Sequence, residues 1–183
     1  MSGEHGHVEH HGGNKGIALL ISVLALVLAF AETLGKSAQT AALASNIEAS
    51  NLWAFFQAKT IRQTTLRTAA EQTEIIASNE KATQQVEAWR KTAQRYQSEP
   101  ETNEGRDQLA ARAKDAEKKR DISMAAYHHY ELASAAVQIA IVLASASIIT
   151  SMVALVWAAG ALGLLGVAFC VIGFFFPTAV HLF

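Results

Sequence analysis

The chain has 183 residues, of which 51% are hydrophobic and 17% charged, and its formal net charge is −1. A net charge this small excludes recognition of nucleic acid or anionic substrates through a bulk electrostatic field. A single cysteine, Cys170, excludes an intramolecular disulfide. The charge is segregated: residues 132–183 contain no Asp, Glu, Lys or Arg, whereas residues 36–131 hold every Lys and Arg except Lys15. Such blocks are typical of a protein that meets both water and lipid.

Residues 1–15 form a His-rich and Gly-rich tail. Imidazole is a good ligand for Zn, Cu and Ni. The candidate metal ligands are His5, His7, His10 and His11. Short Gly-rich termini are usually flexible, so the alternative interpretation is a flexible tail with incidental metal affinity.

The first transmembrane helix is predicted over residues 16–35, an apolar run interrupted only by Glu32 near its end. Its length matches the roughly 30 Å of a bilayer core. An ionisable group in a span is a candidate for ion or proton passage. Glu32 is also spaced to pair with Lys36, one helical turn further along.

Residues 36–131 are predicted to form a long, coiled-coil-like helical hairpin outside the membrane, with its tip near 98–106. Pro100 and Gly105 are the only strong helix breakers there. As single helices the two arms would be about 90 Å and about 45 Å long, so they cannot pair along their whole length. Three alternatives remain open: a break near Ser78, Asn79 and Glu80, a first part that lies along the membrane surface, or a bend elsewhere.

An apolar stripe at helical spacing along the first arm is predicted to be the buried face. It comprises Leu43, Ile47, Ala54, Ile61, Ala69, Ile76, Val86 and Ala93. Trp53, Phe55 and Phe56 widen this face. The return arm is rich in alanine, which buries little area. We therefore expect partner helices from other subunits.

Two more transmembrane helices are predicted, over residues 132–156 and 160–181. This uncharged tail is more than twice the roughly 20 residues that one span needs, and Gly160 is the predicted turn. Gly163 and Gly166 allow close helix packing, either within the chain or between subunits. Before the second span His128, His129 and Glu131 suit a membrane-interface belt, and His128 and Glu131 share a helix face.

Residues 46–62, NIEASNLWAFFQAKTIR, are the most distinctive stretch of the hairpin. They resemble the central motif of a family of bacterial membrane proteins, domain-of-unknown-function family four-three-three-seven. Members are similar to this chain along nearly its whole length. The resemblance implies no activity, because none is assigned to the family. We expect the motif's polar residues Glu48, Gln57, Lys59 and Arg62 to contact another helix, within or between subunits, and to give assembly its specificity.

The resemblance also bears on orientation. Members often carry a basic cluster between the last two spans, which implies a cytoplasmic turn and a periplasmic hairpin. Residues 148–160 of this chain hold no Lys or Arg. Basic residues ahead of the second span favour a cytoplasmic hairpin instead, although that rule weakens for loops beyond about 60 residues. We expect the bacterial inner membrane, with a periplasmic hairpin.

The fold class is therefore predicted to be all-α. The expected function is a non-enzymatic membrane scaffold without a cofactor, because phosphate loops, nucleophile elbows and Cys–His pairs are absent from the sequence. Expected partners are the lipid bilayer, further copies of the chain or another membrane protein. Alternating charges on the hairpin argue against nucleic acid. Two alternatives stay open: an oligomeric channel or transporter-like protein lined by the Ser/Thr-rich second span, and metal handling by the tail.

Overall fold

The structure, a computed structural model, describes residues 11–77 and 79–179, with the side chains of 11–14 left aside. Within these ranges the chain folds into four α-helices and no strand. They are α1 (His11–Ile76), α2 (Glu80–Gln97), α3 (Arg106–Thr150) and α4 (Val153–Phe175). The prediction of an all-α fold is confirmed.

Three of these helices contain stretches that are long and apolar enough to cross a membrane: α1, α3 and α4. This agrees with the three spans predicted from the sequence. The helices divide between two compact units. The span unit comprises residues 1–41 and 122–183, and the hairpin unit comprises residues 42–121.

The buried centre of the span unit combines three alanines with two larger aliphatic side chains. Leu24 of α1 packs with Val137, Ala140 and Ala144 of α3 and with Ala159 of α4. Because lipid tails are as apolar as leucine, helices associate in a bilayer through close packing, which small residues permit.

The connection between α3 and α4 lies at Ser151 and Met152, so the turn predicted at Gly160 is wrong. Ser151 has a positive φ of 55°, and the preceding Thr150 donates its hydroxyl to the Ala146 carbonyl at 3.0 Å. Gly160 lies inside α4. A single glycine does not end a helix among apolar residues that favour one, because no water competes there for the backbone hydrogen bonds.

In the hairpin unit the first arm is two helices, because α1 ends at Ile76 and α2 begins at Glu80. The Asn79 side chain caps α2 by accepting a hydrogen bond from the Ala82 amide at 2.9 Å. This break agrees with the first of the three alternatives and removes the mismatch in arm length. The tip follows α2, and there Asn103 has a positive φ of 59°, a conformation that asparagine tolerates well.

A strict seven-residue pattern places α1 against the rest of the hairpin unit. Every member of this inner seam is buried or half-buried: Ala42, Ser45, Ala49, Leu52, Phe56, Lys59, Gln63, Leu66, Ala70 and Thr73. The α3 side of the core is Leu109, Ala113 and Ala116.

The apolar stripe predicted as the buried face is wrong for most of α1. Leu43, Ile47, Ala54, Ile61 and Ile76 are exposed, whereas Val86 and Ala93 of α2 are buried as predicted. The prediction favoured the larger aliphatic side chains. The packing instead uses alanine at the contact positions, which lets helices approach closely.

Candidate functional site

The aromatic residues of the distinctive motif hold the hairpin together. Trp53 and Phe56 form an edge-to-face pair with ring centroids 5.4 Å apart, and both pack against the core of the hairpin unit. The Trp53 indole Nε1 donates a hydrogen bond to Glu117 Oε1 of α3 at 2.8 Å. The half-buried indole thus satisfies its polar edge while its ring fills the gap beside small alanines.

Lys59 is the buried cation of the hairpin unit, with 5% of its surface exposed. Its Nζ lies 3.4 Å from Glu99 Oε2 and 4.0 Å from Glu104 Oε2, both at the tip. It also lies 5.5 Å from the Phe55 ring centroid and 5.2 Å from that of Tyr96. Carboxylates and aromatic faces both favour an ammonium group. The predicted contact of Lys59 with another helix is therefore made within the chain.

One helical turn further, Gln63 joins α1 to α2 and α3. Its Nε2 donates to the Ala93 carbonyl at 2.8 Å and to Gln97 Oε1 at 3.2 Å. Its Oε1 accepts from Arg106 Nη1 at 2.5 Å. The Arg106 guanidinium also lies over the Phe56 ring, 4.9 Å from the centroid. This network fixes the register of the three helices around the tip.

Sequence reasoning did not identify Gln63 and Arg106. The signal was available for Gln63, because it is a polar residue at a contact position of the seven-residue pattern. A polar group there must find a partner, and it commonly sets helix register. Arg106 had no such signal, because it follows the tip and only the folded turn brings it to α1.

The other polar residues of the motif point to solvent. Glu48, Gln57 and Arg62 are exposed on α1. Gln57 and Arg62 make no hydrogen bond, ion pair or ring contact within the described ranges. The pKa of Lys119 on α3 is raised, mainly by Asp115, whose carboxylate lies 2.8 Å from Lys119 Nζ and whose own pKa is lowered by the same pair. The charge of Glu48 makes a smaller contribution to the raised pKa of Lys119.

Glu32 lines a groove of about 500 Å³ in the span unit, between α1 and α3. Its Oε1 lies 3.5 Å from Gln138 Nε2, which also donates to Ser134 Oγ at 3.1 Å. Lys36 and Glu131 line the same groove, and Glu32 makes no ion pair with Lys36. The helical pairing expected from the sequence is thus replaced by a contact with α3. The groove offers both charge signs to a ligand.

The adjacent histidines of α3 have different environments. His128 Nδ1 lies 3.7 Å from Glu131 Oε2, as their spacing on one helix face predicts. His129 is fully buried, and its Nε2 lies 3.2 Å from the Pro177 carbonyl oxygen beyond the end of α4. Its ring stacks on Phe169 with centroids 6.3 Å apart. His129 therefore ties α3 to the end of α4.

Gly163 and Gly166 lie at close contacts between helices within the chain. A Cβ at Gly163 would lie 2.5 Å from a methyl group of Leu24, and one at Gly166 would lie 2.5 Å from a methyl group of Val137. Of the two packing roles that the sequence left open, these contacts are intramolecular.

The predicted metal ligands His5, His7 and His10 lie outside the described residues, and the side chain of His11 is not described. Among the residues that are described, no group of three or more His, Cys, Asp or Glu side chains is arranged to hold a metal ion.

Over its described residues the chain is all-helical, with three helices able to cross a membrane and a helical hairpin, and these features define its structural class. Residues 13–176 match the family described as domain of unknown function DUF4337, and the chain belongs to this family. The resemblance seen in residues 46–62 is thereby confirmed. No curated protein matches the chain, and no solved structure matches it.

Proposed function

We propose that the chain is a non-enzymatic scaffold of the bacterial inner membrane, which oligomerises and presents its hairpin unit to partners. The observation that carries this proposal is that the polar groups in and beside the motif are used in contacts that hold the fold together. Trp53 and Lys59 of the motif, and Gln63 directly after it, are engaged in contacts with α3, with α2 or with the tip of the hairpin unit. Their polar atoms serve the fold and leave none of these three groups facing a substrate cavity.

The outer surface of the hairpin unit supports the same proposal. Large apolar side chains are exposed there, namely Leu43, Ile47, Ile61, Ile75 and Ile76. They lie on a segment that also carries charged residues, so it is not a lipid-facing span. Large apolar side chains that stay exposed on such a segment are candidates for contact with another protein.

Gel filtration with light scattering on the full chain in detergent tests this proposal. The expected protein mass is a multiple of the 19.6 kDa of one chain. A mass of one chain at every concentration tried would overturn it.

The periplasmic placement of the hairpin has its own test. A Glu101→Cys substitution puts a thiol on an exposed tip position, in a Cys170→Ala background that removes the native cysteine. A membrane-impermeant maleimide should label this thiol in intact cells. Labelling only after cell lysis would place the hairpin in the cytoplasm.

A channel or transporter-like oligomer is the second candidate, because the groove at Glu32 combines carboxylates, an ammonium group and amides. The hydroxyl groups of α3 give the channel candidate less support than this groove does. Ser145, Ser147 and Thr150 donate to carbonyls of their own helix, at 2.9, 2.6 and 3.0 Å, and do not need a water-filled pore. Conductance across planar bilayers, with Glu32→Gln as the control, decides this candidate. A current that Glu32→Gln alters would favour it, and the absence of current would exclude it.

A further inference from the structure

The face of α1 opposite the inner seam carries a second seven-residue pattern. Its members, here called the outer seam, are all exposed and all uncharged: Ile47, Asn51, Ala54, Ala58, Ile61, Thr65, Thr68, Gln72 and Ile75. They alternate at spacings of four and three residues, which is the spacing of the contact positions in a coiled coil. The outer face of a solvated helix normally carries charged residues.

The charges of this part of α1 are excluded from the outer seam. Glu48 and Arg62 lie along one flank and Glu71 along the other, while Lys59 belongs to the inner seam. Five of the contact positions are apolar and four carry uncharged polar side chains, and this uncharged seam is bordered by charged or polar flanks, as in a helix that pairs with another helix. Ile61 is 67% exposed and Ile75 is 84% exposed, so within one chain nothing covers them.

We infer that the outer seam binds the outer seam of a second copy of this chain, as a parallel coiled coil in register. This inference rests on the proposed function, because it specifies the surface through which the scaffold assembles. It assigns the partner helix expected from another subunit to the outer seam, since α2 and α3 of the same chain occupy the inner seam.

The direction of pairing follows from the membrane. Copies of one chain insert with a common orientation, and α1 is a single helix from His11 to Ile76. The α1 helices of two copies therefore run in the same direction. In a parallel pair each contact position faces its own counterpart, so Ile47, Ile61 and Ile75 each meet the same residue of the other copy.

The polar residues of the seam suit this register. Asn51 lies at the type of contact position where a buried asparagine favours parallel two-stranded pairing and fixes the register. On the flanks, Gln57 of one copy lies five residues before the position of Arg62 in the other. This is the spacing of flanking pairs across a parallel coiled coil. The two copies of Arg62 lie on opposite sides of the seam, so their like charges are not brought together.

The choice of a second copy over a foreign helix rests on this self-complementarity. Gln57 and Arg62 have no partner within the described part of one chain, and in the parallel pair each becomes a partner for the other. A foreign helix on the seam is an outcome that the test below distinguishes.

Disulfide cross-linking in membranes tests the inference with the full chain. In the Cys170→Ala background, Ile61→Cys puts a thiol in the seam, where equivalent residues are near enough for the Cα separation of a disulfide. Arg67→Cys is the matched control, exposed on the same helix but off the seam. Mild oxidation should give a covalent dimer with Ile61→Cys and only background with Arg67→Cys. No dimer, or equal dimer from both variants, would overturn the inference and leave a foreign helix as the alternative occupant.

A charge substitution separates this inference from the proposed function. Ile61→Lys places like charges opposite each other in the pair, while the exposed position costs the single chain little packing. Light scattering on this variant should give the protein mass of a single chain. Gln84→Lys adds the same charge at an exposed position of α2 and should keep the oligomer. An oligomer that persists in Ile61→Lys would contradict pairing through the outer seam but not the proposed scaffold. A monomeric wild-type chain would contradict both.

Discussion

At the scale of single residues, the packing of the span unit depends on where a side chain has room. Gly166 has none, because a Cβ there would lie 2.5 Å from Val137 and 3.1 Å from the Ala133 carbonyl oxygen. Gly160 in the same helix has open space, with nothing within 4 Å of a Cβ. Gly160 and Gly166, two of the four glycines of α4, therefore form a matched pair for substitution.

Gly166→Ala should destabilise the chain by about 1–3 kcal/mol, the usual cost of inserting a group into a packed contact. Gly160→Ala should be neutral or stabilising by about 0.5–1 kcal/mol, since alanine is the better helix former. Unfolding in mixed detergent followed by circular dichroism measures both. Equal effects of the two variants would contradict the packing described for α4.

Lys59 is the residue on which the tip depends. Lys59→Ala leaves Glu99, whose side chain is 18% exposed, with the exposed Arg95, also at 3.4 Å, as its remaining ion-pair partner. We expect a loss of about 1–3 kcal/mol, because a largely buried acceptor loses the buried one of its two charged partners. The melting temperature of the helical signal is the measurement, and Lys91→Ala on the exposed surface of α2 should leave it nearly unchanged.

The residue scale also separates what the sequence predicts from what only folding reveals. Lys59 and Trp53 could be selected by motif, and both prove to make contacts between helices. Their partners could not be predicted, because Glu99 and Glu117 lie far along the chain and the tip conformation decides which carboxylate approaches. Glu48, Gln57 and Arg62 were grouped with them by proximity in sequence, yet a helix turns about 100° per residue and carries these three to exposed positions.

At the scale of elements, the ends of the helices follow from local chemistry where a cap is present. The Asn79 cap marks the start of α2, and Pro100 and Gly105 lie in the connection between α2 and α3. The break between α3 and α4 has no glycine or proline, so the sequence offered only Gly160 as a guide. Composition predicts that a long apolar run must contain a turn. It does not predict the position of that turn, where hydroxyl side chains and a residue of positive φ are found.

The break between α1 and α2 should be sensitive to its cap. Asn79→Ala removes the acceptor for the Ala82 amide and should destabilise the hairpin unit by about 0.5–2 kcal/mol. Asn79→Ser keeps a capping oxygen and should recover most of that loss. Hydrogen exchange at the first turn of α2 measures the effect locally. Unchanged protection in Asn79→Ala would show that the tertiary contacts of α2 set its start without help from the cap.

At the scale of the whole molecule, the two seams of α1 have different roles. The inner seam is covered within one chain. Its alanines pack closely, and the polar groups around Lys59 and Gln63 find partners in the same chain. The outer seam is left for a second copy under our proposal. The sequence predicted a hairpin in need of further helices. It could not show that α2 supplies one of them, because the predicted stripe assigned Ile76 of α1 and Val86 of α2 to one continuous face, whereas Ile76 is exposed and Val86 is buried.

The match to the DUF4337 family runs over residues 13–176 and so includes both the inner seam and the outer seam. We therefore expect copies of the intact chain, and not of the hairpin unit alone, to associate through a face that one chain leaves open.

Counting subunits in a bilayer tests this statement most directly. The full chain with Cys170→Ala and Glu101→Cys would carry one fluorophore on the exposed tip and be reconstituted into liposomes at low density. Stepwise photobleaching should show two or more steps in most spots, and Ile61→Lys should shift the distribution to one step. Single-step bleaching of the wild-type sequence at every density would contradict the account.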